Sequence, residues 1–261
     1  MRVQELLDLK GKVALVTGGS RGIGKFISCG FAEAGADLAI GSRNLKNCQE
    51  AAEELKKLGV NTLAVECDMT KEEDIGRFVE ATMQAFGRID VLVNNAGIVW
   101  GAPTLEFPVE KWDRIMAVNI RGPFLLSQKV AKVMIPQGGG KIINVASVTG
   151  LKGTQEEAHP SIAYNASKGG LIIMTKDLAI KLARFNIQVN AIAPGFFRTD
   201  MMDWAELDRF KPLREEIIRE IPAKRSGGEE DIKGLAVFLA SAASNYMTGA
   251  IIPVDGGFSA L

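Results

Sequence analysis

Short apolar runs alternate along the chain with longer segments in which apolar residues recur at helical spacing. The runs are rich in Val, Ile, Leu and Ala and predict strands at 13–16, 38–40, 63–65, 91–93, 141–145, 188–192 and 250–254. The longer segments predict helices at 24–34, 45–58, 72–86, 109–134, 164–185 and 230–239. Strands that alternate with helices pair in parallel through right-handed crossovers, and strands this apolar are covered on both faces. The pattern therefore predicts an α/β fold in which helices flank both faces of one doubly wound, seven-stranded parallel sheet.

The chain shows no linker, low-complexity segment or internal repeat that would divide it. At 261 residues it is long for one domain, yet the alternation of strands and helices continues to its end. We therefore predict one domain over residues 1–261. Only residues 199–228 interrupt the alternation, and there Met201, Trp204 and Phe210 stand among lysines and arginines. This mixture predicts short amphipathic helices that form a lid.

The charge and cysteine content exclude several classes of function. Lysine plus arginine and aspartate plus glutamate both number 31, so the chain has no net charge with which to attract nucleic acid or an anionic membrane. The three cysteines, an odd number at wide spacing, are expected to be reduced and mostly buried. With the single histidine, His159, they form no metal-binding pattern. We therefore predict neither a metal nor a nucleic-acid partner.

Neither a leader peptide nor a membrane span is evident. The first ten residues carry several charges and do not resemble a signal peptide. Residues 234–254 are uncharged, but serine, asparagine, glycine and proline interrupt them, which favours a helix, a turn and a strand over a membrane span. We therefore expect no membrane partner and a cytoplasmic location.

A glycine-rich turn, with the sequence TGGSRGIG at 17–24, joins the first predicted strand to the first predicted helix. Glycine lets the main chain turn tightly and approach a pyrophosphate, whose charge is stabilised by free N–H groups and by the positive end of the helix dipole. The spacing differs from the Gly-x-Gly-x-x-Gly of many dinucleotide folds, and no Lys-Ser or Lys-Thr follows, as a triphosphate loop requires. Its position in a βαβ unit predicts a dinucleotide site contacted by Gly18, Ser20, Arg21, Gly22, Ile23 and Gly24.

The second strand leads into Ser42 and Arg43, where NAD-binding folds usually place a carboxylate for the adenosine ribose. Arg43 and Arg21 could instead bind a 2′-phosphate through their guanidinium groups, although either could be a solvated surface residue. This arrangement favours NADP(H) as the cofactor, with NAD as the alternative. After the third strand, Asp68, with Met69 beside it, could contact adenine or cap the helix that follows.

Three side chains predict a proton-transfer site. Ser147 stands at the end of the fifth predicted strand, and Tyr164 and Lys168 follow at spacing i, i+4, which places the phenol and the amine on one face of a helix. A nearby ammonium favours the phenolate, so it lowers the tyrosine pKa from its usual value of ~10. Such a phenol could exchange a proton with a carbonyl oxygen near neutral pH.

These features together give the chain a resemblance to the short-chain dehydrogenase/reductase family over residues 9–258. The resemblance implies a Rossmann-type fold, a nicotinamide dinucleotide cofactor, a small carbonyl or alcohol substrate and a homotetramer. The matching motifs occur in chain order: TGGSRGIG at 17–24, NNAG at 94–97, Asn119, Ser147, Tyr164-x-x-x-Lys168, Pro-Gly at 194–195 with Thr199, and VDGG at 254–257.

The resemblance also implies a role for each matching residue. Tyr164 would be the general acid/base, and Ser147 would polarise the substrate carbonyl. Lys168 would bind the nicotinamide ribose and lower the tyrosine pKa, and Asn119 would hold a water in a proton relay. The cofactor would also be contacted by Asn95, Ala96, Gly97, Pro194, Gly195, Phe197 and Thr199. The amides of Asn94 and Asn95 could in addition bridge strand ends to the glycine turn.

The predicted reaction is hydride transfer between NADPH and a carbonyl, interconverting a ketone and a secondary alcohol. The resemblance is closest to gluconate 5-dehydrogenase-like and 3-oxoacyl-thioester reductase-like members, so the substrate could be a sugar acid, a 3-oxoacyl thioester or another ketone. Two alternatives remain open. One is an NAD-linked alcohol or sugar-acid dehydrogenase with the same catalytic residues, and the other is a non-catalytic dinucleotide sensor.

One stretch departs from the family pattern. The stretch from Ser147 to Tyr164 is longer than is common in the family, and Glu156 and Glu157 are among its additional residues. We therefore expect an unusual pocket wall there. His159 lies in the same stretch and is expected to be exposed.

Overall fold

The fold is seen in a computed structural model that describes residues 1–157, 159–199 and 211–260, with the main chain alone for 211–213. The strands of this part of the chain form one parallel sheet in the order β3-β2-β1-β4-β5-β6-β7. All seven predicted strands are confirmed, each extended or trimmed by up to two residues at an end. They are β1 Val13–Thr17, β2 Asp37–Ser42, β3 Thr62–Glu66, β4 Val91–Asn94, β5 Gly140–Val145, β6 Ile187–Pro194 and β7 Ile251–Val254.

Helices connect the strands and cover the sheet. The six predicted helical segments are present, together with a short amino-terminal helix and a helix in the predicted lid. The α-helices are α1 Val3–Leu6, α2 Gly22–Glu33, α3 Leu45–Lys56, α4 Glu72–Phe86, α5 Val109–Met116, α6 Gly122–Met134, α7 Ile162–Leu182, α8 Lys211–Glu220 and α9 Glu230–Ala240. Single turns of 3-10 helix lie at Thr104–Glu106, Val148–Gly150, Ala183–Phe185, Ala242–Ser244 and Phe258–Ala260.

The two faces of the sheet bury separate hydrophobic clusters. Along β1, Ala14 and Val16 pack on the side of α2, α3 and α9, whereas Leu15 packs on the side of α4 and α6. Successive side chains of a strand point to opposite faces, so a strand that is buried throughout needs helices on both sides. The doubly wound arrangement predicted from the apolar strands is therefore confirmed. No helix in the described ranges is long and apolar enough to cross a bilayer.

The predicted helix over 109–134 is present, but it is not α-helical throughout. A π-helical turn, Ala117–Arg121, joins α5 to α6, and the amide of the next residue, Gly122, donates to the Ala117 carbonyl. Pro123 follows and has no amide hydrogen, so it cannot close the ordinary helical bond to the carbonyl of Asn119. The apolar spacing continues across the π-helical turn, which is why the pattern alone does not reveal it. The turn contains Asn119, a residue that the sequence assigns to the site.

The order of the strands places a crevice at one edge of the sheet. From β1 the chain proceeds to β2 and β3 on one side, and β4 then pairs with β1 on the other side. At such a reversal, connections leave the carboxyl ends of neighbouring strands in opposite directions, and a ligand site opens between them. The glycine turn after β1 and the segment after β4 therefore border the same crevice.

Candidate active site

A cavity of about 890 Å³ occupies this crevice and extends from Arg43 at one end to Trp100 and Tyr164 at the other. All but two of the predicted site residues line it, the exceptions being Gly24 and Asn119. The lining set comprises Gly18, Ser20, Arg21, Gly22, Ile23, Ser42, Arg43, Asp68, Met69, Asn95, Ala96, Gly97, Ser147, Tyr164, Lys168, Pro194, Gly195, Phe197 and Thr199.

The glycine turn is held against the end of β4 by two side chains. Thr17 Oγ1 donates to the Val93 carbonyl at 3.2 Å and accepts from the amides of Asn95 and Ala96, each at 3.0 Å. Asn95 Nδ2 in turn donates to the carbonyls of Thr17 and Gly18, at 2.9 and 3.2 Å. The bridging function predicted for the Asn95 amide is thus confirmed. Asn94 bonds instead across the sheet and to α6, through Asn144 and Ser127.

The turn leaves room for a phosphate beside the start of α2. Gly18 has a φ of 65°, and a Cβ there would lie 2.8 Å from Asn95 Nδ2. The N-cap residue of α2, Arg21, makes no side-chain capping bond, so the first amides of the helix are available as donors. A glycine cradle at an uncapped helix start fits a dinucleotide pyrophosphate.

Gly24 has a different role from the one predicted, because it lies behind the cavity wall. A Cβ at Gly24 would approach the Gly18 carbonyl oxygen to 2.2 Å and Asn95 Nδ2 to 2.3 Å. The missing side chain therefore permits the helix to pack against its own turn, and Gly24 shapes the cradle without lining it.

The far end of the cavity combines two guanidinium groups with one carboxylate. Arg21 and Arg43 both line it, beside Ser42. Asp68 accepts from the amide and the hydroxyl of Thr70, each at 2.9 Å. These bonds close a turn before α4 and do not cap that helix, because its N-cap residue is Lys71. Burial alone would raise the pKa of Asp68, but these hydrogen bonds and the nearby Arg43 lower it. Asp68 is therefore an anion close to Arg43.

At the near end, Ser147, Tyr164 and Lys168 meet. Tyr164 and Lys168 lie one turn apart on α7, and Lys168 Nζ is 5.5 Å from the centre of the phenol ring. The ammonium donates to the carbonyl of Val145, the last residue of β5, at 2.7 Å. Ser147 follows two residues later, and its Oγ accepts from the amide of Thr149 at 3.2 Å. The strand end thereby fixes both the serine and the lysine.

The predicted lowering of the tyrosine pKa is absent from this arrangement. Burial raises the pKa of Tyr164, and its hydrogen bond with Ser147 opposes the rise without overcoming it. Burial also lowers the pKa of Lys168 to about 8, because the side chain is only 4% exposed and its amine contacts a neutral carbonyl. Lys168 still carries most of its charge at pH 7, but with its Nζ 5.5 Å from the ring centre it does not offset the effect of burial on the pKa of Tyr164.

Asn119 supports the site from behind, within the π-helical turn. Its Nδ2 donates to the Ile98 carbonyl and to Ser167 Oγ, both at 3.0 Å, and its Oδ1 accepts from the Ile98 amide at 2.9 Å. The side chain thus joins the segment after β4 to the helix that carries Tyr164 and Lys168. Its place in a proton relay stays a prediction.

The stretch between Ser147 and Tyr164 contributes to the wall of the cavity, as expected, but it places His159 differently from the prediction. His159, expected to be exposed, is only partly so and lines the cavity, with its ring centre 6.0 Å from that of Tyr164. The one signal in the sequence was the unusual length of the stretch that contains it. Further lining residues that were not predicted include Val148, Thr149, Glu157, Pro160, Ser161 and Ile217.

The predicted lid is described in part. Residues 200–210 lie outside the described residues, so the predicted apolar positions Met201, Trp204 and Phe210 are not placed. The described remainder includes α8, whose Ile217 lines the cavity. It also includes Gly227, which pairs with Phe197 in an isolated β-bridge. Within the described residues, no group of histidine, cysteine, aspartate and glutamate could hold a metal ion.

Comparisons with known proteins agree with this geometry. The family model described as Enoyl-(Acyl carrier protein) reductase matches residues 18–259. The 2-dehydro-3-deoxy-D-gluconate 5-dehydrogenase of Dickeya dadantii is 41% identical over 254 residues, which are 97% of each chain. The 3-oxoacyl-(acyl-carrier-protein) reductase FabG of Thermotoga maritima is 40% identical over 251 residues, 96% of this chain and 99% of the other.

A solved structure extends the similarity to the whole fold. The gluconate 5-dehydrogenase of Burkholderia cenocepacia J2315, in complex with NADP and tartrate, superposes with a TM-score of 0.93 at 34% identity and covers 100% of both chains. Members of this family use a nicotinamide dinucleotide to oxidise CH–OH groups or to reduce the corresponding carbonyls, which is the chemistry for which the cradle and the cluster at Tyr164 are suited. The chain therefore belongs to the short-chain dehydrogenase/reductase family.

Proposed function

We propose that this protein is an NADP(H)-dependent oxidoreductase that interconverts a ketone and a secondary alcohol, with Tyr164 as the general acid/base. One observation carries the proposal: Ser147, Tyr164 and Lys168 meet at one end of a cavity whose middle is a phosphate cradle and whose far end carries Arg21 and Arg43. The length and the chemistry of this cavity fit an extended dinucleotide with a small substrate beyond its nicotinamide.

Each side chain at this end of the cavity has its own role in the proposed reaction. The bound dinucleotide supplies a hydride to the substrate carbon, or accepts one from it. Ser147 and Tyr164 hold the substrate oxygen through their hydroxyl groups and stabilise the charge that develops on it. Lys168 lies deeper, on the Val145 carbonyl, where it can bind ribose hydroxyls and hold α7 against β5. Asn119 fixes the opposite side of α7.

The state of Tyr164 suits proton donation at neutral pH. Because burial raises its pKa, the phenol is protonated at pH 7 and can give its proton to a carbonyl oxygen during reduction. Oxidation requires the same oxygen to accept a proton, which alkaline pH favours. We therefore propose that reduction is faster near neutral pH and that oxidation is faster at alkaline pH.

The positive charges at the far end of the cavity support a preference for NADP over NAD. Arg21 and Arg43 face the cavity beside the neutral Ser42, which suits a 2′-phosphate that a carboxylate at the end of β2 would repel. The similar enzyme of Burkholderia cenocepacia was crystallised with NADP. An NAD-linked enzyme with the same catalytic residues is the alternative, and the nearby Asp68 anion is the feature that favours it.

We propose a hydroxylated ketone of the sugar-acid type as the substrate. Two of the similar enzymes are named as gluconate-type 5-dehydrogenases, whereas a third is named as a 3-oxoacyl thioester reductase. The proposed assembly is a homotetramer, supported by apolar side chains left exposed on the long helix α7, such as Ile173 at 63% and Ile180 at 79%. A lid over residues 199–228 and a cytoplasmic location remain predictions.

The test is the variant Tyr164→Phe. Wild-type protein is mixed with NADPH and a panel of 5-keto-D-gluconate, 5-oxohexanoate and a 3-oxoacyl thioester, and NADPH absorbance is followed. We expect wild-type turnover of at least one ketone and a loss of about 100-fold or more in kcat for the variant, with NADPH affinity retained. A variant that turns over as the wild type does would contradict the role of Tyr164. A wild type that binds NADPH but reduces no ketone would favour the sensor alternative.

A further inference from the structure

Part of the cavity wall near Tyr164 is built by an insert, which we define as residues 153–157 and 159–161. It is anchored to the segment that follows β4. The amide of Ala102 donates to the Pro160 carbonyl at 2.8 Å, and the amide of Thr104 donates to Glu156 Oε2 at 2.7 Å. These bonds hold the insert over the end of the cavity that contains Tyr164.

The insert has its own internal order. The amide of His159 donates to the Gln155 carbonyl at 2.9 Å, and the amide of Ser161 donates to the His159 carbonyl at 2.8 Å. Asn165 Nδ2, on α7, donates to Thr154 Oγ1 at 2.8 Å. The first two bonds link the main chain of the insert on either side of His159, and the third links the insert to α7. Together they fix where the imidazole lies.

The imidazole of His159 carries hydrogen-bonding capacity that the protein does not use. It lines the cavity, and its Nδ1 is shielded from solvent without a hydrogen-bond partner in the described part of the chain. A polar group enclosed in this way is destabilising unless something satisfies it, so an unpaired imidazole nitrogen in a residue that lines the cavity points to a ligand. A rotation of the ring by a half-turn about its Cβ–Cγ bond would exchange the positions of Nδ1 and Cδ2.

The charge state of the ring indicates which ligand group it suits. Burial lowers the pKa of His159, so the imidazole is neutral at pH 7 and offers one donor and one acceptor. Glu157, beside it in the wall, offers a carboxylate that can only accept. A neutral donor–acceptor pair next to a carboxylate matches a hydroxyl group and does not match a substrate carboxylate.

We propose that His159 is a specificity-determining residue that hydrogen-bonds a hydroxyl group on a carbon next to the reacting carbon of the substrate. The two ring centres are 6.0 Å apart, so a ketone whose oxygen meets the Tyr164 hydroxyl brings its neighbouring substituents beneath the imidazole. This proposal rests on the proposed function and adds the substrate class to it: α-hydroxyketones over plain ketones.

The test compares two ketones that share a six-carbon chain, a carboxylate at C1 and a carbonyl at C5. These are 5-keto-D-gluconate, hydroxylated on both sides of the carbonyl, and 5-oxohexanoate, which has no hydroxyl group. The variants are His159→Leu, which removes the hydrogen bond, and His159→Gln, which keeps donor and acceptor capacity. The matched control is Gln155→Leu, an exposed position of the insert whose side chain does not line the cavity.

We expect wild type to prefer 5-keto-D-gluconate in kcat/KM. H159L should lose about 10- to 100-fold with this ketone and less than about threefold with 5-oxohexanoate, since the lost contact is to the hydroxyl alone. H159Q should retain more activity toward 5-keto-D-gluconate than H159L, and Q155L should match wild type. A wild-type preference for 5-oxohexanoate, or an equal loss with both ketones in a folded H159L, overturns the inference. Turnover of either ketone by the wild type would still support NADPH-dependent ketone reduction with Tyr164 as the general acid/base.

A binding measurement separates the two proposals if turnover fails. In that case 5-keto-D-gluconate is titrated calorimetrically into wild type and H159L, each saturated with NADP⁺. Weaker binding to H159L by about 10-fold or more supports the role of His159 even when the proposed reaction is contradicted. Equal binding to the two proteins, or no binding to either, overturns it.

Discussion

Lys168 Nζ donates a hydrogen bond to the carbonyl oxygen of Val145 at 2.7 Å, and this bond joins the middle of α7 to the carboxyl end of β5. The same helix carries Tyr164, and the same strand end leads to Ser147. One buried amine therefore holds the helix that carries Tyr164 against the strand end that leads to Ser147. This relationship makes Lys168 both a structural anchor and a candidate contact for the cofactor.

The variant Lys168→Met should remove both functions. We expect kcat/KM for NADPH-dependent reduction to fall by about 100- to 10,000-fold, because the ribose contact, the charge and the bond to Val145 are lost together. NADPH affinity, measured by fluorescence titration, should weaken as well. Lys181→Met, at the exposed end of the same helix, is the control and should leave both quantities unchanged. Unaltered turnover in K168M would remove Lys168 from the mechanism.

The variant Arg43→Asp tests the choice of cofactor. A carboxylate at this position should repel the 2′-phosphate of NADPH and accept hydrogen bonds from the ribose of NADH. We expect kcat/KM with NADPH to fall by about 10- to 100-fold, while the value with NADH stays the same or rises. Lys46→Asp, an exposed residue of α3 with the same change in charge, controls for long-range electrostatics. Selectivity that does not move in R43D would mean that Arg43 does not bind the phosphate.

Lys141 predicts a dependence of stability on pH. Its side chain is buried at the start of β5, where Nζ donates to Ser244 Oγ at 3.3 Å and to Asn245 Oδ1 at 2.9 Å, and burial lowers its pKa to about 8. The unfolded chain keeps a lysine pKa of ~10.4, so between these values the unfolded state binds more protons. The folded state therefore gains stability as the pH rises from about 8 to about 10, and this gain is absent below pH 8.

We expect the free energy of unfolding to rise by about 1 to 2 kcal/mol over that interval. This rise is smaller than the ~1.4 kcal/mol that each unit of difference between the folded and unfolded pKa would give, because solvent partly reaches the amine. Urea unfolding at pH 8 and pH 10 measures the change. In Lys141→Met the rise should be smaller by about this amount, and Lys168, whose pKa burial also lowers to about 8, contributes equally in both proteins. A parallel rise in wild type and K141M would assign the effect to other groups.

The strands, the glycine turn and the pairing of Tyr164 with Lys168 were predictable because their signals are local in the sequence. The apolar runs of β1 and β4, the glycines at 17–24 and the i, i+4 pair of Tyr164 and Lys168 each specify their structure within a few residues. The structure confirms the strands and places the glycine turn and the two side chains of α7 along one cavity.

The features that were missed depend on contacts between distant parts of the chain. The position of His159 follows from the bond between Thr104 and Glu156, which lie 52 residues apart, and no spacing rule indicates it. The pKa of Tyr164 depends on how deeply α7 packs, and the π-helical turn before α6 lies next to Pro123 within an uninterrupted apolar pattern. Periodicity reports which face of an element is buried, but it does not report what that face contacts.

The attachment of the insert to the segment after β4 has an evolutionary consequence. Ser147, Tyr164 and Lys168 belong to the end of β5 and to α7, whereas His159 belongs to a separate loop that is joined to the segment after β4 by two hydrogen bonds, at Ala102 and Thr104. Mutation can therefore change the length or the polarity of that loop while the other three side chains keep their positions. If the proposed function holds, we expect changes of substrate among related enzymes to occur first between residues 153 and 161.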